Sequence, residues 1–196
     1  MRFSSKLHIP WAAALLAGAG AGAVAACGSG GSGGPAPSAA PSWAKALGAG
    51  VTVTAGNASP GDGSPGGSLL GALTSAEAGD FAKFCSYMPP SQQEGCNSTL
   101  SGVPAASLKT EMPTYKNVVV TYTAIDGNEA LVGVTGTICD PNQTPSCISN
   151  SDPAAFFDSG KPFTTLWSES VANSSSYTPA PMTKVNGKWY IYQGSN

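Results

Sequence analysis

The spacing of apolar residues in this 196-residue chain changes near Tyr115, and that change limits the fold more than any other feature. Before it, Leu69, Leu70, Leu73, Ala76, Phe81, Phe84, Cys85 and Met88 recur at three- and four-residue steps, the pattern of helices facing a core. After it the period is two. Helices are expected over 68–78 and 80–88, with Asp80 capping the second and Pro89-Pro90 ending it. Ser91-Gln92-Gln93-Glu94 reads as a capping box opening a third helix that carries Cys96 and ends or kinks at Gly102 and Pro104. Lys116 to Ile125 and Ala130 to Cys139 read as antiparallel strands joined by a tight turn at Asp126-Gly127-Asn128-Glu129. Phe163 to Val171 and Tyr177 to Lys184 read as further strands, the second weakened at its start by Pro179 and Pro181. Asn186-Gly187 is a type I′ hairpin signal that delivers Lys188 to Tyr192 as the last strand. Helices followed by antiparallel strands specify an α+β domain over 68–196, with the helices on one face of a curved sheet.

Ahead of that domain, Arg2 and Lys6 precede an apolar run from Trp11 to Ala26. The run is too short and too glycine-rich to span a bilayer core of about 30 Å comfortably, so residues 1–26 read as a signal peptide. It ends in Val24-Ala25-Ala26-Cys27, which resembles the lipobox of bacterial lipoproteins. The resemblance implies cleavage before Cys27, a diacylglyceryl thioether on that cysteine, and a chain anchored by lipid to the extracytoplasmic face of the cell membrane. Two acyl chains suit stable anchoring, since each buried methylene contributes about 0.8 kcal/mol and one chain alone holds only marginally. The alternative is an ordinary secretory leader cut at an A-x-A-like site, with Cys27 a spare thiol. Residues 27–67 then comprise the lipidated cysteine and a tether; Gly28 to Ser42 is nearly all Gly, Ser, Pro and Ala and cannot bury enough surface to fold, and Gly56 to Gly67 is a second low-complexity piece. The β-branched alternation of Val51-Thr52-Val53-Thr54 marks a short strand at 50–54 or an arm packed on the domain. Whether 43–54 belongs to the fold stays open, because Trp43 suits an interfacial position equally well.

Four cysteines remain after Cys27, an even number suited to an oxidising compartment. Of three pairings, Cys85–Cys96 and Cys139–Cys147 are favoured, because each pair is close in sequence and encloses proline-rich turn chemistry. Each closed loop contributes on the order of 2–3 kcal/mol. Seven lysines, no arginine and eleven carboxylates follow the leader, a side-chain balance of −4 without a basic run, which excludes a nucleic-acid partner. The single histidine, His8, leaves with the leader, so imidazole catalysis and the usual zinc sites are excluded as well. The Asp140-to-Thr144 loop holds too few oxygen donors for calcium, and neither a metal nor a cofactor is expected.

A helix broken at Gly79-Asp80-Phe81, a second helix, a long hairpin and the closing Lys184-Val185-Asn186-Gly187-Lys188-Trp189-Tyr190 resemble the nuclear-transport-factor-2-like cone fold of small secreted bacterial lipoproteins. The resemblance covers roughly 68–196 and implies a cone-shaped sheet capped by helices. Enzymes of that family use a histidine or a buried carboxylate pair inside the cone, and the exported chain has no histidine. Phe81, Phe84, Tyr122, Trp167, Glu169 and Tyr190 are the expected lining. In a strand, Trp167, Glu169 and Val171 would share one face, so Glu169 would point into an apolar interior with a raised pKa, unless it lies at the strand end in solvent. No catalytic constellation is present. The function expected is a non-catalytic module binding a small apolar ligand or a cell-surface partner; the alternative is a cone-fold enzyme using an isolated carboxylate. A homodimer through the sheet face carrying Val118 and Val120 is compatible with the pattern.

Overall fold

A computed structural model of the chain describes residues 40–56, 58–104, 107–108, 110, 114–139, 147–172 and 179–192. The leader, Cys27, most of the tether, the Asp140-to-Ser146 loop and Tyr177 lie outside them.

The first helix begins earlier than its apolar period does. Ser64 Oγ accepts the Gly67 N–H at 2.9 Å, and Pro65 takes the first helical position, where a missing N–H costs nothing. Helix α1 therefore runs Pro65–Ala78 rather than from residue 68. The low-complexity stretch before it is a closed loop and not a spacer. The Asp62 carboxylate accepts from the N–H groups of Ser59 (2.8 Å) and Ser64 (2.9 Å) and from the Ser64 hydroxyl (2.5 Å). Burial pushes this carboxyl up, but those bonds outweigh it and hold it below the usual aspartate range.

A Schellman turn ends α1, with the Asp80 N–H on Ser75 O and the Gly79 N–H on Ala76 O. Asp80 then caps α2 (Phe81–Cys85), accepting the Lys83 N–H at 3.1 Å as expected. Helix α3 (Pro90–Ser101) ends at Gly102. Its expected capping box does not form. Pro90 already holds the first helical position, so Ser91 lies inside the helix, and the Gln93 amide turns back to donate to Met88 O at 2.9 Å. The disulfide Cys85–Cys96 staples α2 to α3.

Six strands form one sheet: β1 (Thr52–Ala55), β2 (Thr114–Asp126), β3 (Glu129–Cys139), β4 (Cys147–Asn150), β5 (Ala180–Val185) and β6 (Lys188–Ile191). All neighbours are antiparallel, in the order β1-β2-β3-β5-β6. The far edge of β3 is divided, with β5 pairing Glu129 to Val132 and β4 pairing Gly136 to Cys139. Asn186 and Gly187, at φ 51° and 81°, make the expected turn between β5 and β6. Strand β1 answers the open question about the arm: residues assigned to the tether supply an edge strand, so the folded body starts before residue 68.

Two irregularities bend β2. Asn117, at φ 54°, and Val118 together oppose Gly136, and Thr121 is an extra residue between the pairs Val120–Val134 and Tyr122–Gly133. Each reverses the alternation, so Tyr115, then Val118 and Val120, then Ile125 all pack into the same apolar cluster. Val118 and Val120, the residues behind the expected self-association face, are thus covered by the body's own helices, and Val119 on the opposite parity is 44% exposed.

The sheet is covered on both faces, not one. Ala130, Val132 and Val134 of β3 join Leu69, Leu73, Phe84 and Met88 beneath α1–α3. Leu131, between them on the strand, joins Trp43, Leu47, Phe157, Phe163 and Leu166 on the other side. That second layer comprises a 3-10 helix (Ser42–Leu47), the short α4 (Ala154–Phe157) and α5 (Phe163–Ala172). Helix α5 overturns the strand expected at 163–171. Its buried residues, Phe163, Leu166 and Ser170, fall at steps of three and four, whereas the threonines and Val171 lend it strand-like composition. The next strand runs Ala180–Val185, and its expected start at Tyr177 lies outside the described residues.

Candidate functional site

Of the six residues expected to line one interior, the structure brings three to one face of the sheet. Phe84 is buried under α1–α3 and Phe81 packs beside it. Tyr122 and Trp167 pack with the opposite cluster. Tyr190 joins them by register: it opposes Thr183, Thr183 opposes Glu129, and Glu129 has the parity of Leu131. Glu169 belongs to neither face. It sits on the outer side of α5 with its Oε1 2.6 Å from Lys161 Nζ, the two side chains 35% and 45% exposed. The inward orientation followed from strand alternation, and the helix removes it.

The face shared by Tyr122, Trp167 and Tyr190 is built mainly from aromatic rings. Trp43, carried in by the arm, stacks on Phe157 at 5.2 Å and meets the edge of Tyr122 at 5.2 Å. Gly133 lets this happen, because a Cβ there would stand 3.0 Å from Phe157 Cε2 and 3.1 Å from Pro153 Cβ. A second string runs from Phe163 to Trp167 (6.2 Å) and on to Tyr192 (5.4 Å). The Tyr192 N–H donates to Pro181 O at 2.9 Å, which ties that ring to β5.

One step toward the hairpin ends, the register aligns Asp126, Glu129, Thr183 and Tyr190 across β2, β3, β5 and β6. Asp126 and Glu129 are directly opposed like charges, an arrangement that destabilises a strand pair. Desolvation and the neighbouring Asp126 charge hold the Glu129 carboxyl above the usual glutamate range. Lys188 Nζ lies over the Tyr190 ring at 5.3 Å. Helix α5 packs on β5. On its buried stripe, one turn beyond Trp167, Ser170 is 3% exposed, and its hydroxyl has no hydrogen-bond partner among the described residues.

This face of the sheet therefore carries aromatic rings, a partly desolvated acid, a tyrosine and a threonine, and the helix packed on β5 adds a buried hydroxyl; a mainly apolar molecule with one or two polar groups suits such a composition. Among the described residues no three metal-binding side chains converge, and no helix is long and apolar enough to cross a membrane. Sequence reasoning missed Trp43, Glu129, Ser170 and Tyr192 as members of this region. One signal was available: closing the hairpin at Gly127-Asn128 forces Asp126 against Glu129, a pairing that strand stability alone disfavours. No protein-family model, no curated protein and no solved structure matches this chain.

Proposed function

We propose that the chain is an extracytoplasmic lipoprotein, anchored through a lipidated Cys27, whose cone-like body is a non-catalytic binding module for a small, mainly apolar ligand. The ligand lies on the sheet face covered by the arm and α5, against Trp167 and the Asp126-Glu129-Thr183-Tyr190 row. The observation that carries this reading is Ser170. A buried hydroxyl without a partner costs about 1–3 kcal/mol, and a ligand that accepts or donates one hydrogen bond there offsets that cost. The lipobox-like Val24-Ala25-Ala26-Cys27 supports the anchor.

The catalytic alternative moves from Glu169 to Glu129, whose raised carboxyl shares a register row with Tyr190 across the intervening Thr183. Native mass spectrometry of residues 40–196, purified from the producing cell without detergent, tests the binding reading. A reproducible extra mass that disappears on denaturation is expected; a bare mass correct for two disulfides counts against a resident ligand. Full release of Cys27→Ser from membranes is the expected outcome for the anchor, and an acylated, membrane-bound variant would overturn it.

A further inference from the structure

The two disulfides differ in their surroundings. Cys85 is wholly buried (0% exposed) in the cluster that holds Phe84 and Met88, and its half-buried partner Cys96 packs against that cluster. Cys139 and Cys147 face each other in register on β3 and β4, Cys139 half-buried and Cys147 exposed, and neither belongs to an apolar cluster. Among the described residues, β4 pairs with β3 alone. Besides its ladder, the hydroxyl contact between Thr137 and Ser149 at 2.9 Å ties it down. Because β5 leaves the same edge of β3 at Val132, the backbone from Gly136 to Cys139 is covered on that side, among the described residues, by β4 and by no other strand.

We propose that Cys139–Cys147 is an exchangeable clasp rather than a permanent staple, opened by a dithiol reductant to release β4 and bare the β3 edge at Gly136 to Cys139. A disulfide exchanges by in-line attack of a thiolate on an accessible sulfur, and exposed disulfides are the labile ones. One thiolate of the dithiol attacks Cys147 Sγ, the Sγ–Sγ bond breaks, and Cys139 leaves as a thiolate that takes up the proton the attacking thiol has lost. The second thiol then displaces Cys147 from the mixed disulfide. Two electrons and two protons pass to the protein, and the dithiol becomes a disulfide. The freed edge presents unpaired N–H and C=O groups.

The test is timed reduction of the full-length oxidised protein with dithiothreitol under native conditions, quenched by iodoacetamide and read by peptide mass spectrometry. Cys139 and Cys147 are expected to be alkylated at least about tenfold faster than Cys85 and Cys96, while near-ultraviolet circular dichroism holds. Hydrogen exchange should rise at the β3 amides facing β4 and stay unchanged in α1–α3. Opening of both pairs together, or of Cys85–Cys96 first, overturns the proposal, as does a β3 edge that remains protected after Cys139 and Cys147 are reduced. The variant C139S/C147S should show the same edge exposure without reductant. If it does not fold, the order of alkylation in the unsubstituted protein still decides.

Discussion

Toward the helical layer β3 presents Ala130, Val132 and Val134; toward the arm and α5 it presents Leu131 and a bare Gly133. The first face is closed by local devices: an N-cap at Ser64, a cap at Asp80, the Gln93 amide on Met88 O and the buried Cys85 disulfide. The second is closed by pieces distant in sequence, the arm at Ser42–Leu47 and helices after residue 153, meeting ring on ring. It also keeps what a purely structural layer would discard, an unsatisfied hydroxyl at Ser170 and like charges opposed at Asp126 and Glu129. One side of the sheet is thus closed by caps and a disulfide between near neighbours in sequence, the other by ring contacts between distant segments, with a buried hydroxyl on α5 and an opposed pair of like charges at the hairpin. Functional sites characteristically depart from the rules that stabilise the rest of a fold.

Substitutions separate the two faces by size of effect. Phe84→Ala removes a fully buried ring under α1–α3 and is expected to lower unfolding free energy by about 3–5 kcal/mol in denaturant titration; a loss below about 1 kcal/mol would show that this face is not the stable one. Replacing Cys85 and Cys96 together by serine should cost about 2–3 kcal/mol under oxidising conditions, and melting equal to the parent would contradict a staple there. Trp43→Ala should cost about 2 kcal/mol, less than a fully buried ring, and should raise hydrogen exchange in β1 before any other strand. Uniform exchange across the sheet would make the arm part of the same cooperative unit as the helical layer.

The smallest effect concerns pH. The carboxyl of Glu129 is raised in the folded state, so folding is favoured while it is protonated, below its unfolded value, and that contribution is lost as pH climbs through the raised folded value. Glu129→Gln should therefore flatten the fall in stability across the acidic range, by no more than about a few tenths of a kcal/mol because solvent still screens this half-buried group. An unchanged pH profile would remove Glu129 from the site.

Local chemistry made most of the helical layer legible in the sequence. Asp80, the Pro89-Pro90 stop, the Asn186-Gly187 turn and both disulfide pairings depend on residues a few positions apart, and each appears where the sequence placed it. The second face was not legible, because its order comes from tertiary contacts. Gly- and Pro-rich composition at 56–67 signals a spacer unless Asp62 is seen to close the loop on Ser59 and Ser64. The bulges in β2 invert an alternation that otherwise reads cleanly. At 163–171, Phe163, Trp167 and Val171 fit a period of two nearly as well as the apolar set fits 3.6, and packing on β5 selects the helix. Glu169 was misplaced for that reason alone.

Ser170→Ala measures the difference between the faces most directly, with melting and native mass spectra recorded beside the unsubstituted protein. Removing a buried hydroxyl that has no partner should raise the unfolding free energy of the ligand-free protein by about 1 kcal/mol and abolish or weaken the bound extra mass. A variant that melts lower in the absence of ligand, or that carries the same mass as fully as its parent, would place the binding site elsewhere.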